Sequence, residues 1–288
     1  MFVVDKFVSE VSNGHLMSTE WIFPLVQTDP QFHPTNLLQT CFAFTNAPVL
    51  LTAGHYLDFF GDLKPHDDGL VHAPSNIKDQ YIYSGVVHVD PIDSLDFLVY
   101  PVVASLIDSG FDLAVLLVDG GFPVTPSIPI LEEPPLGTNV YAVGFPTLLQ
   151  QADFMAERQT LASRIAFSDG SVLALHSTGT PHHWYPTVES DTWVSGGMSG
   201  GPLCSKNPTQ LIGVNSTSFD GPDGPSWSTW LGKAMDRNFS FNAILRYADN
   251  SEFDLRSFTI RTLCDFAGPR TGISHSLLDG GKSDLFPD

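Results

Sequence analysis

Ser195-Gly196-Gly197-Met198-Ser199-Gly200-Gly201-Pro202 sets one serine hydroxyl among four glycines. Glycine on both sides of a serine marks a tight turn that needs unusual φ values and close backbone approach. Such a turn can also aim successive backbone N–H groups at one point, as an oxyanion requires. The stretch becomes informative only if the chain supplies a base for Ser199, an acid to orient that base, and walls for a substrate.

Outward from this turn the chain reads as strands. Leu211 to Val214 follows as one. Before it, Gly137 to Pro146, Arg158 to Ala166 and Ser171 to Leu175 read as strands, and Pro181-His182-His183-Trp184-Tyr185-Pro186 as a loop. Gly120 to Pro135 carries Pro123, Pro126, Pro129, Pro134 and Pro135, an extended connector that marks a domain boundary. Upstream, Asn36 to Phe44 and Val49 to Ala53 flank Thr45-Asn46-Ala47-Pro48, a hairpin signal. Tyr81 to Val89 and Leu95 to Leu106 have strand composition. Asp108 to Asp112 is a turn, and Leu113 to Val118 a fully apolar strand. Lys233 to Ala248, with Ala234, Met235, Phe239, Phe241, Ile244 and Leu245, is the best helix candidate. Short strands with Gly and Pro throughout predict an all-β sandwich or a pair of barrels.

Composition bounds the partners. The chain has 288 residues, 42% of them apolar, with 21 Phe and 5 Trp, enough for a substantial core. Thirteen Lys and Arg stand against 32 Asp and Glu, a net charge of -19. That charge repels phosphate backbones and anionic lipid, which argues against nucleic-acid and membrane-surface binding. Solubility accounts for it; a preference for cationic substrates is the sharper reading. Cys41, Cys204 and Cys264 lie far apart and cannot all pair, so reduced thiols are expected rather than a disulfide framework. No stretch reaches the length of a membrane span. Met1 to Lys6 lacks a basic segment leading into an apolar one, so no secretory signal is read and a cytoplasmic location is expected. Nothing in the sequence indicates an oligomeric state.

A serine hydroxyl is a poor nucleophile at neutral pH and needs a base with an orienting group behind it. Ten histidines are present. His55 stands out, because it follows an apolar strand and a small-residue turn. Asp112 opens the most apolar strand, so its carboxylate is partly buried and needs a partner, which an imidazole N–H supplies.

Leu51-Thr52-Ala53-Gly54-His55, Phe111-Asp112-Leu113-Ala114-Val115-Leu116 and Gly197-Met198-Ser199-Gly200-Gly201-Pro202 resemble the three signatures of the chymotrypsin-like (trypsin-like) serine peptidases, in that family's order. The resemblance covers roughly residues 20–248. It implies two six-stranded antiparallel barrels sharing a catalytic cleft. The expected organisation is an arm at 1–19, a barrel at 20–120 carrying His and Asp, and the connector at 121–135. A second barrel at 136–232 carries Ser; a C-terminal helix at 233–248 and a tail at 249–288 follow. The resemblance further implies that Ser199 is the nucleophile, His55 the base and Asp112 the residue that holds the imidazole. Gly197 and Ser199 amides would form the oxyanion hole. Ser216 would bond the aspartate, and Thr217 and Ser218 would pair with substrate backbone. The substrate would be a polypeptide, and no cofactor is needed.

Departures from the family pattern carry information too. Met198 stands where activated digestive members have an aspartate. Tyr56 stands where many secreted members have a cysteine, which points to the bacterial-type or intracellular branch without the usual disulfides. Trp193, six residues before Ser199, falls at the base of the specificity pocket and offers no acid, so a small or apolar P1 residue is expected. A register shift would bring Asp191 there instead. Asp96 rivals Asp112 as the triad acid. His182-His183 reads as a surface loop, because adjacent histidines diverge and no third metal ligand is spaced to join them. Cys204 has no base beside it and reads as a packing residue. The alternatives to a serine endopeptidase are a catalytically silent relative that binds peptides in the same cleft, and an acyl hydrolase of small esters.

Overall fold

The strands come out as two antiparallel sheets of seven strands each. A computed structural model describes residues 3–7, 20–29, 33–43, 49–56, 83–89, 97–108, 110–118, 128–147, 151–153, 160–162, 164–218, 224–235, 243–246 and 263. Strand β1 spans Val3–Phe7. The first barrel is β2 (Ile22–Thr28), β3 (Pro34–Ala43), β4 (Val49–Ala53), β5 (Tyr83–Val89), β6 (Phe97–Asp108) and β7 (Leu113–Val118). Its ring closes because β6 pairs with both β5 and β7. The second is β8 (Asn139–Gly144), β11 (Arg164–His176), β12 (Thr187–Ser190), β13 (Pro202–Lys206), β14 (Thr209–Ser218) and β15 (Ser226–Trp230), with β9 (Gln151–Asp153) and β10 (Thr160–Ala162) as a separate hairpin. Here the ring closes between β8 and β11.

Side-chain alternation decides what each face packs against. On β8, Val140 and Ala142 join one buried cluster with Ala166, Leu203, Ile212 and Trp230. Tyr141 and Val143 point the other way, into a cluster shared with Phe42, Leu51, Phe111 and Val115 of the first barrel. A strand buried on both faces needs apolar residues throughout, and Asn139-Val140-Tyr141-Ala142-Val143 supplies them after its first residue. Apolar packing continues from one barrel into the other.

The long strands β6 and β11 each bend to serve several neighbours. The first half of β6 pairs with β5, and its second half takes a further strand, β16 (Ala243–Arg246), through Ala104 to Ile107. The first half of β11 takes β1, with Val3 opposite Ser168 and Phe7 opposite Arg164. The arm at 1–19 therefore contributes a strand to the second barrel, and the segment after that barrel returns to the first.

The helix expected at 233–248 does not run through the described residues of that span. Helix α1 is a single turn, Leu231–Ala234, and Ala243–Arg246 is a strand. The apolar spacing fits a helix, but β6 offers an unpaired edge at Ala104 to Ile107 that a strand satisfies and a helix leaves open. Of the tail at 249–288, Leu263 is buried in the first core; its other residues lie outside the described ones. Part of the connector is pinned: Leu131 N–H donates to Leu211 O at 2.8 Å, and Trp230 Nε1 to Glu132 O at 2.6 Å. Cys41 and Cys204 are free, buried thiols, and Cys264 lies outside the described residues.

Candidate active site

Strand β4 pairs with β7 so that Ala53 faces Leu113. That register puts His55, two residues past β4, beside Asp112, the residue before β7. The His55 backbone N–H donates to Asp112 Oδ1 at 2.7 Å, and His55 Nδ1 lies 3.1 Å from Oδ1 and 3.0 Å from Oδ2. The Asp108 carboxylate shapes the turn ahead of β7 by accepting from Gly110 N–H at 2.7 Å. Asp112 itself sits at φ 49, a left-handed conformation that Asp tolerates better than most side chains. Phe111 beside it is fully buried, and its carbonyl accepts from Thr229 Oγ1 of the second barrel at 2.8 Å.

Ser199 lies in the connection from β12 to β13. Gly197 at φ 91 and Gly200 at φ 81 take backbone shapes that an L side chain would strain. Both barrels hold the loop. Thr40 of β3 donates from its hydroxyl to Gly197 O at 2.7 Å, accepts from Phe145 N–H at 2.9 Å, and donates its own N–H to Ser199 O at 3.0 Å. Gly200 N–H donates to Asn215 O at 2.7 Å, and Asn215 N–H to Gly201 O at 2.8 Å. Met198 is fully buried in the second barrel's core. The Met198, Gly200 and Gly201 amides all have backbone acceptors, whereas those of Gly197 and Ser199 have none among the described residues. The Ser199 hydroxyl donates to Ser216 O at 2.9 Å.

Ser216 reaches Asp112 through an irregularity. On β14, Asn215 faces Ser228 and Thr217 faces Trp227, so Ser216 is an extra, bulged residue. Bulges re-aim side chains, and here Ser216 Oγ donates to Asp112 Oδ2 at 2.6 Å. Asn215 anchors the strand just before it, donating to Val143 O at 3.1 Å and accepting from Ser228 Oγ at 3.2 Å.

The sequence-predicted residues therefore fall into two groups. His55, Asp112, Ser199, Gly197 and Ser216 converge. Thr217 is exposed at the end of β14 beside them, and Ser218 donates to Val194 O at 2.5 Å. Trp193 is partly buried, and its N–H donates to Ser168 Oγ at 2.6 Å. Asp191 accepts from the N–H and hydroxyl of Ser171, at 2.5 and 3.2 Å, and is exposed. Asp96 lies outside the described residues, and Asp112 is the carboxylate on His55.

The reading of His182-His183 as a surface pair needs correction. His182 is exposed, but His183 is buried against Trp227 and Tyr185, with ring centroids 5.3 and 5.6 Å away. Burial lowers its pKa from the ordinary 6.5, partly offset by Asp112 and reinforced by His182. Tyr185, in the same loop, bonds Ser216 Oγ at 2.8 Å and reaches Asp112 Oδ2 at 3.4 Å. Burial and the Asp112 charge push its phenol well above the usual range. Thr40, His183 and Tyr185 carry no local signal in sequence, because strand and loop geometry alone brings them here.

A sequence model described as the trypsin-like peptidase domain matches residues 39–214. No curated protein matches the chain. Among solved structures, the active form of the Rv3671c protease from M. tuberculosis is similar at 15% identity and a TM-score of 0.51, over 78% of this chain and 83% of that one. The serine endoprotease from Yersinia pestis aligns at 18% identity and a TM-score of 0.46, over 79% of this chain and 64% of that one. The first similarity is one of fold. The family match spans more than half the chain and runs from β3 to β14, through His55, Asp112 and Ser199, so this chain belongs to the trypsin-like peptidase family.

Proposed function

We propose that the chain is a serine endopeptidase that works through His55, Asp112 and Ser199. The observation that carries this reading is the convergence of a carboxylate-held imidazole and a serine loop with two open amides. Rotation of the Ser199 side chain turns its proton from Ser216 O to His55 Nε2. Ser199 Oγ then attacks the peptide carbonyl carbon while that proton passes to the imidazole, which Asp112 stabilises. The carbonyl oxygen gains negative charge and takes the Gly197 and Ser199 N–H groups; each such donor is worth about 3 kcal/mol. The C–N bond breaks as His55 returns the proton to the leaving amine. Water repeats the sequence on the acyl-Ser199 ester and frees the acid.

Thr217 and Ser218 would pair with the substrate backbone as an added strand. A small or apolar P1 residue is the preference we infer. Its support is that Trp193 brings no charge, and that Asp191 is occupied by Ser171. Where the end of β12 pairs with the start of β15, Ser190, Thr192 and Ser226 satisfy one another at 2.8 to 3.1 Å, so these buried hydroxyls need no polar substrate group.

A fluorophosphonate probe tests the nucleophile without knowledge of the substrate. Wild type should label near neutral pH and Ser199→Ala should not. Absence of label on folded wild type removes the enzyme reading and leaves a peptide-binding relative. Cleavage of a peptide library mainly after Lys or Arg would overturn the P1 preference.

A further inference from the structure

Behind the strand edge at Thr217 lies a set of buried polar side chains that the proposed mechanism does not use. Tyr185 Oη is 2.8 Å from Ser216 Oγ, 3.3 Å from His183 Nδ1 and 3.4 Å from Asp112 Oδ2. His183 Nε2 is 3.1 Å from Thr217 Oγ1. Each hydroxyl has one proton and a neutral imidazole has one N–H, so the direction of every bond follows from its fixed end.

That end is Asp112, whose carboxylate only accepts. Ser216 Oγ, at 2.6 Å, gives its single proton to it. The 2.8 Å bond between Ser216 and Tyr185 must then use the phenol proton. The phenol oxygen is left as an acceptor, and the neighbour able to fill it is His183, with its hydrogen on Nδ1. This tautomer leaves Nε2 bare, and Nε2 accepts from the Thr217 hydroxyl. Burial of His183 favours the neutral form that the arrangement needs. All four bonds then point inward, and aligned hydrogen bonds polarise and strengthen one another.

Resting on the peptidase reading above, we propose that Tyr185 and His183 are positioning residues for Asp112, linking the carboxylate through Ser216 to the substrate-pairing residue Thr217. The loop carrying them is fixed to the β14 edge, so a substrate strand laid on Thr217 meets the outer end of the arm that holds the acid. Among the described residues, the titratable groups facing this arm are Asp112 and His55 at its inner end and His182 on the loop. Its β14 and β15 neighbours, Ser216, Thr217 and Trp227, are uncharged.

The test is the second-order rate of fluorophosphonate labelling of the full chain across pH, for wild type, Tyr185→Phe, His183→Asn and His183→Leu. Tyr185→Phe removes the donor to Ser216. The rate should fall about tenfold. Less hydrogen bonding to the carboxylate leaves more negative charge facing the imidazole. The acid limb of the profile should therefore move up by about half a pH unit, which a packing defect alone would not cause. Asparagine can place an N–H where His183 Nδ1 stands, so His183→Asn should stay within about twofold of wild type, while His183→Leu falls as Tyr185→Phe does. A Tyr185→Phe protein that matches wild type in rate and limb overturns the proposal. Equal losses in the two His183 variants overturn it as well, and decide the matter if Tyr185→Phe does not fold. Failure of wild type to label removes the peptidase reading itself, a distinct result.

Discussion

Asp112→Asn is the most informative single change, because its outcome follows from the positions of the surrounding donors. The His55 backbone N–H sits 2.7 Å from Oδ1 and is an obligatory donor. The asparagine carbonyl must therefore occupy the Oδ1 place, and its NH₂ takes that of Oδ2. There it faces His55 Nδ1 at 3.0 Å and Ser216 Oγ at 2.6 Å, both of which now donate. The favourable response is for Nδ1 to become an acceptor, which moves the imidazole hydrogen to Nε2. A base with its hydrogen on Nε2 cannot take the Ser199 proton. The same substitution in a Ser-His-Asp triad lowers turnover about 10⁴-fold, equivalent to about 5 kcal/mol of transition-state stabilisation. Asparagine also accepts left-handed backbone, so φ 49 is kept and the fold should survive. The assay is the fluorophosphonate labelling rate at about pH 7, with circular dichroism to establish folding. A folded Asp112→Asn protein labelling within about tenfold of wild type would refute the donor argument and the role of Asp112 with it.

Three further outcomes are expected. Gly200→Ala places a methyl group against Thr40 O and Thr52 Oγ1 at a positive φ, so thermal unfolding should show a loss of about 3 kcal/mol; an unchanged Tm contradicts this. Met198→Asp buries an unpaired carboxylate in the second barrel's core. Soluble, folded yield should collapse, and a stable variant would mean the site opens to water. Because burial lowers the His183 pKa from 6.5, the unfolded chain binds that proton first as the pH falls. The neutral imidazole's contribution is thus complete above about pH 6.5 and lost below it. The urea midpoint should drop between about pH 7 and pH 5.5, and drop less in His183→Asn; an equal drop in both proteins contradicts the assignment.

Much of the architecture is legible in the sequence, because strand signals are local. Apolar runs bounded by turn residues reveal β3, β4, β7 and β8 directly, and the glycines of 196–201 announce a turn whose backbone few other residues could follow. His55 and Asp112 are visible for a related reason: His55 follows an apolar run and Asp112 opens one, where a strand leaves or enters the core. The segment at 243–246 misleads because four residues carry no reliable period, and its partner edge on β6 is more than a hundred residues away. The expected helix there has good local spacing, but an open sheet edge outweighs it.

The sequence by itself determined that the chain is all-β, and it singled out Ser199, His55 and Asp112 as candidates to act together, because strand signals and short motifs depend on residue type within a few positions. Tertiary structure alone decided how Asp112 is held. The bulge that turns Ser216 inward arises from the pairing of β14 with β15, and the burial of His183 and Tyr185 from a loop folding over the strand edge. Hydrogen-bond direction depends on distances among groups brought together from separate parts of the chain, so no local pattern could encode it. For the same reason the turn from Ser195 to Pro202 announced its backbone shape in sequence, while Thr40, Asn215 and the two barrels determined what that shape is aimed at.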